Sequence, residues 1–222
     1  MTAVASVPVQ AVSKLPAPAA VLVGLISLAM VLMPGSWAFL NHFARIAHEG
    51  AHAVVGSCLD TRVDGVSLNM RERSGETVVR TVPGTGFAVA VVGYFGPSGF
   101  GLAAAALIAH GQIIPVLWIG VVLLAILLPS LRTVFGVALV FGIGFVLFSI
   151  IRSGNPVVEA VTAYGLSWLL LLGGVRSVLD RRADSDDAAR MSEITSMPRG
   201  FWYRVWLIGT MVAVAWGYTL LV

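Results

Sequence analysis

The residues best suited to chemistry are His48-Glu49-Gly50-Ala51-His52, an H-E-x-x-H pattern. Side chains four apart on a helix project from one face, so both imidazoles can reach a single tetrahedral Zn²⁺. Glu49 sits between them in sequence and can take a proton from a water whose pKa the metal lowers to about 7. A catalytic site of this kind needs a third protein ligand and leaves the fourth position to water. The chain holds one cysteine, Cys58, and only two further histidines, His42 and His110, neither well placed. The third ligand is therefore expected to be a carboxylate. Asp180 ends an apolar run and could approach with little rearrangement, whereas Asp187 requires residues 181–198 to fold back. Ala188, Met191 and Ile194 would give that segment an apolar face to dock. Asp187 or Asp180 thus stands as the candidate third ligand, with Asp184 and Asp186 read as solvated.

The elements that must position these residues are membrane helices. Of the 222 residues, 58% are apolar and only 11% charged, and the mean hydropathy is +0.91. A soluble domain carries about 45–50% apolar and about 25% charged residues. So few charges cannot cover a water-soluble surface, and the chain is an integral, multi-pass membrane protein. A single cysteine excludes a disulfide framework and a Cys-based metal knuckle. The net charge of +3 is small, and nothing supports nucleic-acid binding.

Seven apolar runs follow a tail over 1–17 that is expected to be disordered, at about 19–33, 36–58, 87–109, 113–128, 133–151, 157–179 and 201–222. At about 20 residues per crossing they give an all-α polytopic fold of six to seven transmembrane helices in a single domain over 18–222. Residues 59–86 read as a small cytoplasmic β-hairpin around Ser74-Gly75. The charged stretch 180–200 holds a short helix starting near Ser185 and ending near Thr195. With seven spans and a cytoplasmic N-terminus, twelve of the fourteen basic residues lie at or near cytoplasmic loops; Arg152 faces out and Arg45 lies within a span. The aspartates then share a membrane side with the two histidines. A cleaved signal peptide is the alternative for the first run, since Ser36-Trp37-Ala38 has the small-x-small form.

Within the second run, Asn41, Arg45, His48 and His52 form one polar stripe, opposite Leu40, Phe43, Ala47 and Val54. Such a stripe must face the bundle interior or a water-filled cavity. It could instead bond helices together without catalysis, as in a transporter or a partner-binding scaffold that retains a metal site.

H-E-G-A-H in an early span resembles the site-2-protease class of intramembrane zinc metallopeptidases, and the chain is similar to the compact bacterial and fungal M50B-like membrane peptidases. The resemblance rests on His48 to His52, on Gly93-Tyr94-Phe95-Gly96-Pro97-Ser98, and on Asp187-Ala188-Ala189-Arg190-Met191 with Thr195, Pro198 and a Trp-rich last span. It implies Zn²⁺ as cofactor, Glu49 as the catalytic base, and peptide-bond hydrolysis in a membrane protein or peptide substrate within the lipid bilayer of a bacterial cell membrane. It also implies Asp187 as a ligand, and it brings the 93–98 segment beside the metal, where Tyr94 or Ser98 could donate to an oxyanion. Site-2 proteases usually carry the third ligand in Leu-Asp-Gly, and here Leu179-Asp180 is followed by Arg181.

Overall fold

The computed structural model describes residues 14–59, 62–68, 75–80, 85–181 and 186–222. Eight helices are present among them: α1 (Ala17–Leu32), α2 (Pro34–Cys58), α3 (Gly86–Ala109), α4 (Ile113–Leu127), α5 (Val134–Ser153), α6 (Pro156–Arg181), α7 (Asp186–Thr195) and α8 (Arg199–Leu221). Strands β1 (Arg62–Leu68) and β2 (Gly75–Arg80) join α2 to α3 and pair antiparallel, Arg62 opposite Arg80 and Leu68 opposite Gly75, with an irregularity between Val63 and Gly65. Most of the tail expected over 1–17 lies outside the described residues, as do Ser185 and Asp184.

Helix α3 is the hub, packed on α2, α6 and α8. Its closest approaches use glycine. A Cβ on Gly101 would stand 2.9 Å from Leu171 of α6, and the Ser167 hydroxyl donates to the Gly101 carbonyl at 2.8 Å. One core joins α1, α3, α4, α6 and α8 around Ile108, Leu117, Tyr164 and Leu171. A second, at the other end of α3 and α6, gathers Ala90, Tyr94 and Val178 with Ala188 and Met191 of α7 and Trp202 and Trp206 of α8.

Five helices (α3, α4 with its following turn, α5, α6 and α8) are each long and apolar enough to cross a membrane, and α1 with α2 makes a sixth if the bent pair is one span. Five or six candidate spans thus stand where six to seven were expected, because the first two runs do not form two full crossings. Helix α1 has 16 residues, about 24 Å, and the chain turns by 104° between α1 and α2. Met33 is the cause: a residue before proline is driven out of the helical region, and Met33 is extended at ψ 123°.

The direction of α1 follows from its neighbours on α6. Leu15 packs in the same core as Tyr164, Gly24 faces the Trp168 ring, and Val31 clusters with Leu172. Beyond the bend, the Trp37 indole donates to Asp180 at 2.6 Å. The two helices therefore run the same way, and α2 begins at the C-terminal end of α6. It also delivers His48 beside Tyr94, whose own cluster contains Val178. Helix α2 runs across that end of the bundle instead of through to the far side.

Candidate metal centre

Near its middle α2 is enclosed on nearly all sides: Ala44 through Glu49 are buried, as are Ala51 and His52. The expected outward face survives only at Val54, since Leu40 and Ala47 are buried as well. An ionisable cluster this deep among apolar helices is costly unless it serves a function.

Two helices bring the site together. His48 and His52 leave the same face of α2, and their rings meet edge to face. Asp187 arrives in the first turn of α7, with its Oδ2 at 3.1 Å from His48 Nε2 and its Oδ1 at 3.7 Å from His52 Nε2. The ligand atoms of these three residues all lie within 4.8 Å of one another, and among the described residues they are the group that could hold a metal ion. Burial pushes the Asp187 carboxyl up, but hydrogen bonds and charge from His48 and His52 outweigh it, and the group is held well below the usual carboxylate range.

The donor set fits a metal. Two nitrogens about 2.0–2.1 Å from a tetrahedral ion stand about 3.3–3.4 Å apart; the two Nε2 atoms are 3.3 Å apart. His52 Nδ1–H donates to the Val89 carbonyl at 2.7 Å, which fixes the tautomer and turns the Nε2 lone pair inward. Glu49, 2% exposed, adjoins His48 on the same helix.

Three further features shape the centre. A Cβ on Gly93 would stand 2.5 Å from His52 Nε2 and 2.7 Å from His48 Cε1, so only glycine leaves room for the pair. The Tyr94 ring lies 4.9 Å from that of His48 and is backed by Trp206. Helix α7 is seated by its apolar face, with Ala188 and Met191 fully buried, and Trp202 Nε1–H donates to Thr195 at its end. Ile194, expected on that face, is 45% exposed.

Several expectations part ways here. Asp180 is not brought to the histidines: it accepts from Trp37 and pairs with Arg176 at 2.9 Å. It ends α6 beside the start of α2, away from the centre. Ser98 turns from the centre toward α6, where a Cβ on Gly174 would collide with its hydroxyl. His42 packs its ring on Phe39 and Phe135, and His110 is an exposed residue closing α3. The Val89 carbonyl escaped the sequence, since any residue type can supply a main-chain acceptor.

No curated protein and no solved structure matches the chain. The sequence model of the Peptidase M50B-like family matches residues 21–217, a span that contains His48, Glu49, His52, Gly93 and Asp187. With most of the chain matched, this protein belongs to the Peptidase M50B-like family.

Proposed function

We propose that the protein is a membrane-embedded zinc metalloendopeptidase acting on membrane protein or peptide substrates near the cytoplasmic face of a bacterial cell membrane. The observation that carries this reading is the convergence of His48, His52 and Asp187 from two helices, with Glu49 alongside. Two imidazoles and one carboxylate, with a position left open, are the donor set of catalytic zinc sites. When bound, zinc would supply a water of pKa about 7 and polarise the scissile carbonyl. Glu49 accepts the proton from that water and returns it to the leaving nitrogen as the C–N bond breaks. Its burial keeps bulk water from screening the charge that develops. Val89 holds His52 in the tautomer that presents Nε2. Substitution tests the assignment. Glu49→Gln should retain zinc and lose cleavage of a transmembrane model peptide by at least about 10²-fold, the usual range for a general base, while His48→Ala should lose both. Cleavage at the wild-type rate by Glu49→Gln would refute the mechanism.

The side of the membrane follows from charge. If the C-terminal end of α6 is cytoplasmic, eleven basic residues lie at or near that side, with Lys14 and Arg152 opposite and Arg45 inside α2. The β1–β2 pair and the metal centre then sit at the cytoplasmic end. Because α1 runs parallel to α6, we place its N-terminus on the opposite face, against the cytoplasmic N-terminus that a count of seven spans requires. Cys58 is exposed where α2 ends, which makes it a reporter. On intact cells an impermeant maleimide should spare Cys58 and label Lys14→Cys in a Cys58→Ser background. The reverse pattern would overturn the placement.

A further inference from the structure

Helix α3 carries Pro97 in its interior, and its ring is fully buried. Proline has no N–H, so the carbonyl four residues earlier loses its helical partner. That carbonyl belongs to Gly93, the residue whose missing side chain makes room for His48 and His52.

The placement follows from helix geometry. A helical carbonyl leans along the axis toward the residue four further on. Gly93 faces the two imidazoles, and Gly96 faces Ala47 and Ala51 on the next turn of the same α2 surface. The freed carbonyl projects from Gly93, the residue that borders the metal centre, toward the Pro97 ring on the following turn. Among the described residues no other element supplies it with a hydrogen bond. Ser98, the nearest hydroxyl along the chain, is turned toward Gly174. A buried main-chain acceptor without a donor is costly, and more so in a membrane, where such a group is kept satisfied by protein or ordered water.

We propose that the Gly93 carbonyl, released by Pro97, is a substrate-binding acceptor of this site. It takes a hydrogen bond from the N–H of the scissile peptide and holds the leaving nitrogen once Glu49 has protonated it. The inference rests on the peptidase reading and adds to it an acceptor on the amine side of the bond. A substrate amide thereby replaces the lost helical donor, and the interaction strengthens as the nitrogen gains positive charge. Pro97 is a positioning residue: it acts only by leaving the carbonyl unoccupied.

The test separates the missing N–H from the proline ring. Pro97→Ala restores a donor to Gly93. Lactic acid placed at position 97 by nonsense suppression has neither ring nor N–H, because an ester oxygen replaces the nitrogen. Zinc content, cleavage of a quenched transmembrane peptide, and the affinity of a peptide hydroxamate, whose own N–H reports on the acceptor, are measured on the full-length protein in all three forms. All three should bind zinc equally. Pro97→Ala should lower kcat about 10–100-fold, the scale of one charge-assisted hydrogen bond, and weaken the hydroxamate about tenfold, with KM changed less. The lactic-acid form should stay within about threefold of wild type in both readouts. Pro97→Ala at wild-type values, or the two variants falling together, would overturn the proposal, the latter by assigning the effect to the kink. If even the wild type cleaves no peptide, the peptidase reading fails by itself, and the hydroxamate affinities still decide the question of the carbonyl.

Discussion

The end of the bundle built from α2, α3 and α7 and the hairpin of α4 and α5 come from the same apolar chain, yet they turn opposite things inward. Around the metal centre, Arg45, His48, Glu49 and His52 are buried and glycines bring the helices close. On α5 several large side chains point out: Val134 is 88% exposed, Phe141 63% and Phe145 62%. A shallow groove between α4 and α5 is lined by apolar residues throughout, among them Leu124, Phe141 and Phe148. Lipid can cover the second region because it asks for nothing but apolar contact, whereas the first must satisfy every polar group from within. The difference teaches where substitution will matter. Packing against lipid tolerates a change of shape; packing against the His48 and His52 imidazoles does not.

That contrast can be put under strain at two glycine- and phenylalanine-sized points. Gly93→Ala should have the larger effect. Its methyl would enter the space of both imidazoles, and overpacking of this kind costs about 1–3 kcal/mol. Because the atoms displaced belong to the proposed ligands, zinc affinity should fall at least about 10–100-fold, as read by competition with a chelator of known affinity. Wild-type affinity would mean that the helices part more easily than the geometry implies. Phe145→Ala should be nearly silent: thermal stability in detergent or lipid should move by no more than about 0.5 kcal/mol, with zinc content unchanged. A large loss there would show that α5 packs on something other than lipid.

How much of this was legible in the sequence depends on the range of the interactions. The H-E-x-x-H pair is a local signal, since helix periodicity alone puts both rings on one face, and the structure has them there. The break after the first run is local too, written as Met33-Pro34. Its consequence is not, because a 104° turn and the parallel course of α1 depend on Gly24 meeting Trp168 and Trp37 meeting Asp180. Counting two crossings was the natural error. The same long-range contacts divide the two aspartates: Asp180 is claimed by Trp37 and Arg176, which leaves Asp187 for the histidines. The apolar face of α7 was readable as Ala188 and Met191, but the docking site made by Val178, Trp202 and Trp206 was not. Tryptophans in a membrane chain read first as interfacial anchors; Trp206 is instead a buried wall behind Tyr94, while Trp216 is exposed.

The central claim is that His48 and His52 share one metal ion with a carboxylate delivered by the folded-back α7. It is tested most directly by metal analysis of the purified full-length protein beside Asp187→Asn and Asp180→Asn, each equilibrated with the same buffered zinc. The wild type and Asp180→Asn should each hold one zinc per chain, and Asp187→Asn should lose it, with an affinity reduced well beyond the roughly 10–100-fold cost of disturbing a residue that only supports a ligand. Full zinc in Asp187→Asn, with loss in Asp180→Asn, would contradict the account and return the third ligand to the end of α6.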